Sequence, residues 1–537
     1  MQTDFDVIAV GAGFSGLYTV HKMREIGRSV RAFEAGDGVG GTWYWNRYPG
    51  ARCDVESMEY SFGFDQDLEQ EWKWTERYSP QPEILAYLNH VADRFDLRRD
   101  IQLETKVLSA HFCEDESDTA FGRWKIKTDD GQEWTATNFV TAVGCLSSTN
   151  IPDFPGLEDF EGEVHHTSRW PQEGVDFSGK HVGVIGTGSS GIQAIPIIAE
   201  EADYLTVFQR TPNFSIPAWN GPLDPARQEE VKARYQEVRV ANRDKFTGFG
   251  GSLPSVESPD AANVPEDQRD LLLEEFWKAG GLLYIAAFAD LLSDPDANQA
   301  ASEFIRGKIR EIVKDPEIAE LLVPDHGVAC KRPCADTGYF ETFNRDDVEL
   351  VDVSKTGVER ISKTGVVGGG REIEVDALVL ATGFDAMTGS LNAIDIRGRG
   401  GVALTEKWEA GPITYLGLGS AGFPNLFIIT GPGSPSVLTN MVTSIEQHVE
   451  WIADCILYMA KHKHRFIEPA PEAEIDWVSH VNEVASGYIY PTCNSWYLGA
   501  NVPGKPRVFM PHVGFPSYRE KCEEVVANGY EGFHFSA

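Results

Sequence analysis

Two glycine runs constrain this chain more than any other feature. GAGFSG at Gly11–Gly16 follows the apolar stretch Phe5–Val10 and precedes a segment with Leu17, Val20 and Met23 at helical spacing. GTGSSG at Gly186–Gly191 follows His181–Ile185 and precedes the helix-forming Ile192–Glu201. Each run has the form G-x-G-x-x-G between a strand and a helix, and a further short strand follows, Ser29–Phe33 in one case and Tyr204–Phe208 in the other. In that setting the glycines allow a tight turn and let the backbone approach a pyrophosphate at a helix N-terminus. The two units begin 175 residues apart, so this is a repeated domain type and no short-period solenoid. The expected fold class is α/β, with two Rossmann-like dinucleotide-binding domains.

The residues that end the second strand of each unit differ. Glu34 lies 23 residues after Gly11. A carboxylate there accepts from a ribose 2′-hydroxyl and repels a 2′-phosphate, which suits FAD or NAD. Arg210 lies 24 residues after Gly186, with Thr211 beside it. A guanidinium and a hydroxyl suit the 2′-phosphate of NADPH. The first site is therefore assigned to FAD through Gly11, Gly13, Phe14, Ser15, Gly16 and Glu34, and the second to NADPH through Gly186, Thr187, Gly188, Ser189, Ser190, Gly191, Arg210 and Thr211. The run GVGGTWYW at Gly38–Trp45 supports the first assignment, because Gly41 and Thr42 allow close passage of a ring system and Trp43 and Trp45 can flank it. By residue type alone the same run also reads as an aromatic structural loop. The pair of sites implies hydride transfer from NADPH to FAD.

Between Gln228 and Leu322 the pattern changes to long helical segments, Gln228–Lys245, Glu266–Phe288 and Asn298–Val313, which read as an insertion in the second domain. Strand-like Val375–Leu380 then runs into ATGFD at Ala381–Asp385, and Asn425–Ile429 into TGPGSPS at Thr430–Ser436, with a helix over Ile445–Met459. The expected division is 1–143 and 385–537 for the FAD-binding domain, 144–213 and 330–384 for the NADP-binding domain, and 214–329 for the helical insertion.

Composition narrows the partners. Asp and Glu number 82 against 47 Lys and Arg, a net charge of −35, which argues against nucleic acid or an anionic membrane. The eight cysteines form no C-x-x-C pair and no metal-ligand spacing, so we expect reduced thiols, no metal and no redox disulfide of the kind disulfide reductases need. No apolar stretch reaches the roughly 18 residues of a membrane span, and Met1–Asp6 does not resemble a signal peptide. The expectation is a cytoplasmic monomer acting on a small molecule.

Just before the second glycine run stands FEGEVHHTSRWP, in which Phe160, Gly162, His166, Trp170 and Pro171 fit F-x-G-x-x-x-H-x-x-x-W-P. This resembles the fingerprint of Baeyer–Villiger monooxygenases, FAD- and NADPH-dependent enzymes that insert oxygen beside a ketone carbonyl. Both glycine turns, ATGFD and SWYLGANVPGKPR at Ser495–Arg507 extend the resemblance over nearly the whole chain, nearest to phenylacetone, steroid and cyclohexanone monooxygenases. It implies a ketone and O2 as substrates, an ester or lactone as product, and a peroxide on flavin C4a as the nucleophile. It makes Arg332 the catalytic arginine, Asp54 its partner carboxylate beside the flavin, Lys331 a second contact to the 2′-phosphate, and Tyr60 a flavin contact. It places Trp496, Ser436, Val437, Leu438 and Met441 around nicotinamide and substrate, and gives His166 a conformational role more than a chemical one. By residue type alone Asp54 is also a turn or cap residue, Arg332 a surface charge, and Ser436 to Met441 core packing. An arginine suits the chemistry, because a peroxy-anion and an oxyanion need a fixed positive charge, and a neighbouring carboxylate orients it. The rival readings are an N- or S-oxygenating flavin monooxygenase, which Trp170, Pro171 and Arg332 argue against, and an NADPH-dependent flavin reductase serving a partner protein.

Overall fold

The computed structural model describes residues 3–115, 118–253 and 258–536. Phe5–Val10 runs through the interior of an eight-stranded sheet. It pairs in parallel with Val30–Phe33 on one side and Glu133–Thr141 on the other. Leu426–Ile428, from the far end of the chain, joins Glu133–Thr141, also in parallel. Val7 and Ala9 pack into one core with Leu17, Val20 and Met23, while Ile8 packs into another with Phe33, Trp124 and Phe139. Burial on both faces is why the strand reads as an unbroken apolar run.

The second sheet has five strands, all parallel: Val348–Asp352, Tyr204–Gln209, His181–Ile185, Ala377–Leu380 and Glu163–His166. Chain-distant stretches build each sheet. The first draws on 5–141 and 395–428, and the second on 163–209 and 348–380.

The helical stretch runs between Ser215–Pro217 and Cys334–Asp336, two short strands that pair in parallel as a separate two-stranded sheet. Pro225–Ala233, Pro295–Ile312 and Pro316–Leu322 start at Asp224, Asp294 and Asp315, whose carboxylates cap the first N–H groups ahead of a proline. The segment expected as one helix over Gln228–Lys245 breaks at Arg234 into two. The one expected over Glu266–Phe288 ends at Ala279, because Gly280 turns to φ 76°, and a 3-10 segment follows over Gly281–Ala286. Among the described residues no helix is long and apolar enough to cross a membrane.

Candidate active site

The two glycine turns share one backbone. Gly11 and Gly186 have φ of 107° and 112°, and a Cβ on either would lie 2.5 Å from a carbonyl oxygen, of Ala142 and Ala381 respectively. A Cβ on Gly16 or Gly191 would overlap the carbonyl of the first glycine of its own turn. The helices that follow, Phe14–Glu25 and Ser189–Glu201, have neither a side-chain cap nor an acid in the first turn. Their leading N–H groups therefore lack the partner that Asp224, Asp294 and Asp315 supply elsewhere, and favour an anion.

The first turn is closed over by its neighbours. Gly13 and Gly41 pack backbone against backbone, with a Cβ on Gly13 3.1 Å from Gly41 Cα. Glu34, 5% exposed, accepts from the N–H groups of Ala12 (2.8 Å) and Gly36 (2.9 Å). Burial raises its carboxyl above the ordinary range, and those N–H groups oppose the shift. Thr42 opens the short helix Thr42–Trp45. Trp43 is buried and donates through Nε1 to the Tyr60 hydroxyl (3.3 Å), while Trp45 is 40% exposed and stacks edge-on to Tyr44. Phe14 meets Tyr60 edge-on at 5.3 Å, and Ser15 is buried.

The second turn is open. A Cβ on Gly188 would meet nothing within 4 Å. Thr187 Oγ1 donates to the Thr211 carbonyl (3.1 Å), while Ser189 Oγ lies 3.2 Å from Cys334 Sγ. Ser190 is partly buried on the first turn of the helix, and Arg210 is exposed at the end of its strand. Neither Arg210 nor Lys331 makes a side-chain hydrogen bond or ion pair among the described residues. Burial pushes the Lys331 ammonium below its usual range, Asp325 opposes that, and the Arg210 charge adds to it. Two cations that feel each other's charge, with Asp325 also acting on Lys331, are a candidate seat for a dianion.

Arg332 and Asp54 are brought together from 278 residues apart. Arg332 Nε donates to Asp54 Oδ2 (2.8 Å), Nη2 to Oδ1 (3.0 Å), and Nη1 to the Val437 carbonyl (2.6 Å). Asp54 stands at a bend of the chain, and both its oxygens serve the guanidinium. Burial works against the arginine's charge, but the Asp54 carboxylate outweighs it and holds the group above its ordinary range. The loop that carries Asp54 is fixed on both sides. Arg52 binds Glu76 and the Tyr78 carbonyl (2.8 Å each), and its own carbonyl accepts from Gln193 (3.1 Å), on the helix of the second turn. Cys334, two residues past Arg332, touches Ser189. The ion pair thus stands where the surroundings of both turns meet.

Ser436 and Val437 are buried, and Leu438 and Met441 are partly buried against the same core. Trp496 is partly buried, with its ring 4.4 Å from Tyr497. The Ser495–Arg507 segment is anchored on ATGFD: Asn501 donates to the Phe384 carbonyl (2.6 Å) and Lys505 to Asp385 (2.5 Å). The fingerprint lies on the second sheet. Glu163–His166 is its edge strand, with His166 opposite Leu380. Phe160 packs beneath it, a Cβ on Gly162 would collide with the Asp376 carbonyl, Trp170 is buried near His165 and Phe177, and Pro171 follows, partly buried. His166 Nδ1 accepts from Ser168 N–H (3.1 Å), and Nε2 pairs with Thr382 Oγ1 (3.1 Å), which donates to the Asn150 carbonyl (2.7 Å). Burial lowers its pKa to about 4, so the ring is neutral with both nitrogens committed to backbone and hydroxyls.

One expectation is overturned: Cys330 and Cys493 are joined as a disulfide, with 6.1 Å between their Cα atoms, so not every thiol is free. The two are 163 residues apart, and sequence spacing carries no signal of such proximity. Tyr497 was not singled out either. It is 1% exposed, and its phenol, which burial pushes up in pKa, feels the opposing charge of Arg332.

A flavin-binding monooxygenase-like family profile matches residues 5–216. A Baeyer–Villiger monooxygenase of Pseudooceanicola batsensis is 44% identical over 98% of this chain and 95% of its own length. The chain belongs to the Baeyer–Villiger monooxygenases. An acetone monooxygenase (methyl acetate-forming) of Gordonia sp. is 42% identical over 99% of each chain, and a phenazine N-monooxygenase of Lysobacter antibioticus is 42% identical over 99% of this chain and 97% of its own. The structure of an oxidized steroid monooxygenase bound to NADP superposes with a TM-score of 0.92 at 54% identity, covering 99% of each chain. As a family member this chain is an FAD- and NADPH-dependent monooxygenase with the mixed α/β fold of its relatives. Its own residues fit both cofactors, since the two uncapped helix starts offer N–H groups that suit pyrophosphates and Arg210 and Lys331 offer charge that suits a 2′-phosphate.

Proposed function

We propose that this enzyme inserts one oxygen atom of O2 beside the carbonyl of a ketone, giving an ester or lactone, and that Arg332 is the cation on which the step depends. The reading is carried by the Arg332–Asp54 pair at the junction of the two turns. When bound, NADPH and FAD supply the electrons and activate O2. Residues 1–143 and 385–537 hold the flavin, 144–213 and 330–384 hold NADPH, and 214–329 is the insertion that delivers Arg332 back to the site.

Arg332 has five N–H groups, and three are committed to Asp54 and Val437. The remaining two lie on Nη1 and Nη2, beside the Tyr497 phenol, and can meet negative charge as it develops on the ketone oxygen. The bidentate carboxylate fixes the plane of the guanidinium, and an arginine stays protonated where a lysine in the same place would not. Tyr60, Trp43, Gly41 and Thr42 form the flavin side. Trp496, Ser436, Val437, Leu438 and Met441 form the nicotinamide and substrate side. Glu34 rejects a 2′-phosphate at the first site, whereas Arg210, Thr211 and Lys331 select one at the second. His166 acts as a fastener between the edge strand and Thr382, with no part in proton transfer.

The similarity to a phenazine N-monooxygenase supports testing oxygenation at aromatic nitrogen as a second reading. Product analysis with cyclic, aryl and steroid ketones, beside a phenazine, decides between them. Ester or lactone is the expected product, and N-oxide as the main product would reject the ketone reading. Arg332→Ala is expected to keep FAD and form no ester; ester at near wild-type rate would remove Arg332 from the mechanism.

A further inference from the structure

The turn that holds Arg332 from the Val437 side is itself strained. Thr430 (φ 54°) and Ser436 (φ 44°), at its two ends, both lie in the left-handed region, and they are 2% and 0% exposed. A β-branched residue such as Thr430 is disfavoured there unless its surroundings fix it. The strand ladder ends one residue earlier, where Ile429 N–H still reaches the Thr141 carbonyl (3.1 Å). The next N–H, of Thr430, turns away and donates to His448 Nδ1 (2.9 Å).

His448 lies on the helix Met441–His462 and is fully buried. Its Nε2 is 2.9 Å from the Tyr518 hydroxyl, which donates its single proton to the Leu416 carbonyl (2.7 Å). Nε2 must therefore carry the ring proton, and Nδ1 is left bare as an acceptor. Burial lowers the ring pKa to about 3, so this neutral form persists at any working pH. Beyond Thr430 the turn is tied at Ser434, whose carbonyl accepts from His512 N–H (2.8 Å), and at Gly433, whose carbonyl accepts from Trp477 Nε1 (2.9 Å). It then delivers the Val437 carbonyl to Arg332 Nη1.

We propose that His448 is a positioning residue: its bare Nδ1 holds Thr430 N–H, keeps the Thr430–Ser436 turn in its strained form, and thereby sets where the Val437 carbonyl holds Arg332. This rests on the reading of Arg332 given above. His448→Asn keeps an acceptor near the place of Nδ1 but cannot reach Tyr518. His448→Gln sets its amide near the place of Nε2 and leaves Thr430 N–H without an acceptor. Both remove the ring, so a purely packing role predicts equal effects. In the FAD-loaded protein, amide hydrogen exchange of the segment 426–440 is expected to be about tenfold faster in His448→Gln than in His448→Asn. With whichever ketone is turned over, kcat for ester formation should fall at least about tenfold in His448→Gln and stay within about threefold of wild type in His448→Asn, with the KM for NADPH within about twofold in both. Equal exchange and equal kcat in the two variants would overturn the proposal. Arg332→Ala measured in parallel separates the failures, because ester formation at near wild-type rate by that variant sinks the reading of Arg332 whatever the histidine variants do. If neither histidine variant folds, Tyr518→Phe carries the test. It leaves Nδ1 in place, so exchange within about threefold of wild type supports the proposal and a tenfold acceleration overturns it.

Discussion

The two glycine turns have the same backbone and opposite surroundings. Around the first, Gly41 presses on Gly13, Glu34 folds back onto the turn, and Trp43 and Tyr60 close one side. Around the second, Gly188 faces open space, and among the described residues Arg210 and Lys331 make no side-chain hydrogen bond or ion pair. A site walled by packed backbone releases its ligand only by moving that backbone, whereas one formed by side-chain cations binds and releases with side-chain motion alone. The contrast matches a division of labour in which a flavin stays bound and a nicotinamide cofactor exchanges.

The largest expected effect lies at the junction of the two regions. Arg332→Ala should lower ester formation by about a thousandfold, the scale on which a donor aimed at developing charge acts, with FAD still bound by absorbance. Next is Gly13→Ala, which presses a Cβ against Gly41 Cα at 3.1 Å. A loss of about 3 kcal/mol, or colourless protein, is expected; a yellow protein of unchanged Tm would break the description of the first turn as closed.

The closed region also buries charge. Glu446 is 6% exposed and accepts from Gly63 N–H (2.6 Å), and burial raises its pKa to about 7, opposed by Arg239. Its folded pKa is above its unfolded one, so stability is full below the unfolded value near 4.5 and is lost as pH rises through about 7. Glu446→Gln should therefore flatten the fall in Tm between pH 5 and 8 and be the more stable protein at pH 8 by about 2 kcal/mol. A parallel fall in both proteins would remove Glu446 as its source.

Smaller effects belong to the open region. Arg210→Ala should raise the KM for NADPH about tenfold, as loss of one charge-assisted contact does, and leave kcat within twofold, narrowing the gap to NADH. Equal KM values for the two nicotinamides in the wild type would refute the phosphate seat. Gly188→Ala, with nothing near its Cβ, should change Tm by less than about 0.5 kcal/mol in equivalent stability. A loss as large as that of Gly13→Ala would erase the distinction between the turns.

Much of the frame was legible in the sequence because local rules decide it. Phe5–Val10 and His181–Ile185 have the predicted bounds, since a buried parallel strand is an apolar run ended by glycine. Helix starts were placed too late: Phe14 and Ser189 open their helices, but short polar residues behind glycine give no periodicity. The break at Arg234 was missed, as a kink between two amphipathic helices leaves the apolar spacing intact.

The sequence by itself determined two nucleotide turns, their order, and the opposite charges of Glu34 and Arg210, because each follows from residues within about 25 positions of one another. Tertiary structure alone decided that Asp54 meets Arg332, that Val437 supplies the third contact, that Cys330 meets Cys493, and that His448 lies under Thr430. Those contacts span 18 to 278 residues and are made by loops and helix faces that only the packing of the two sheets and the returning insertion bring into register.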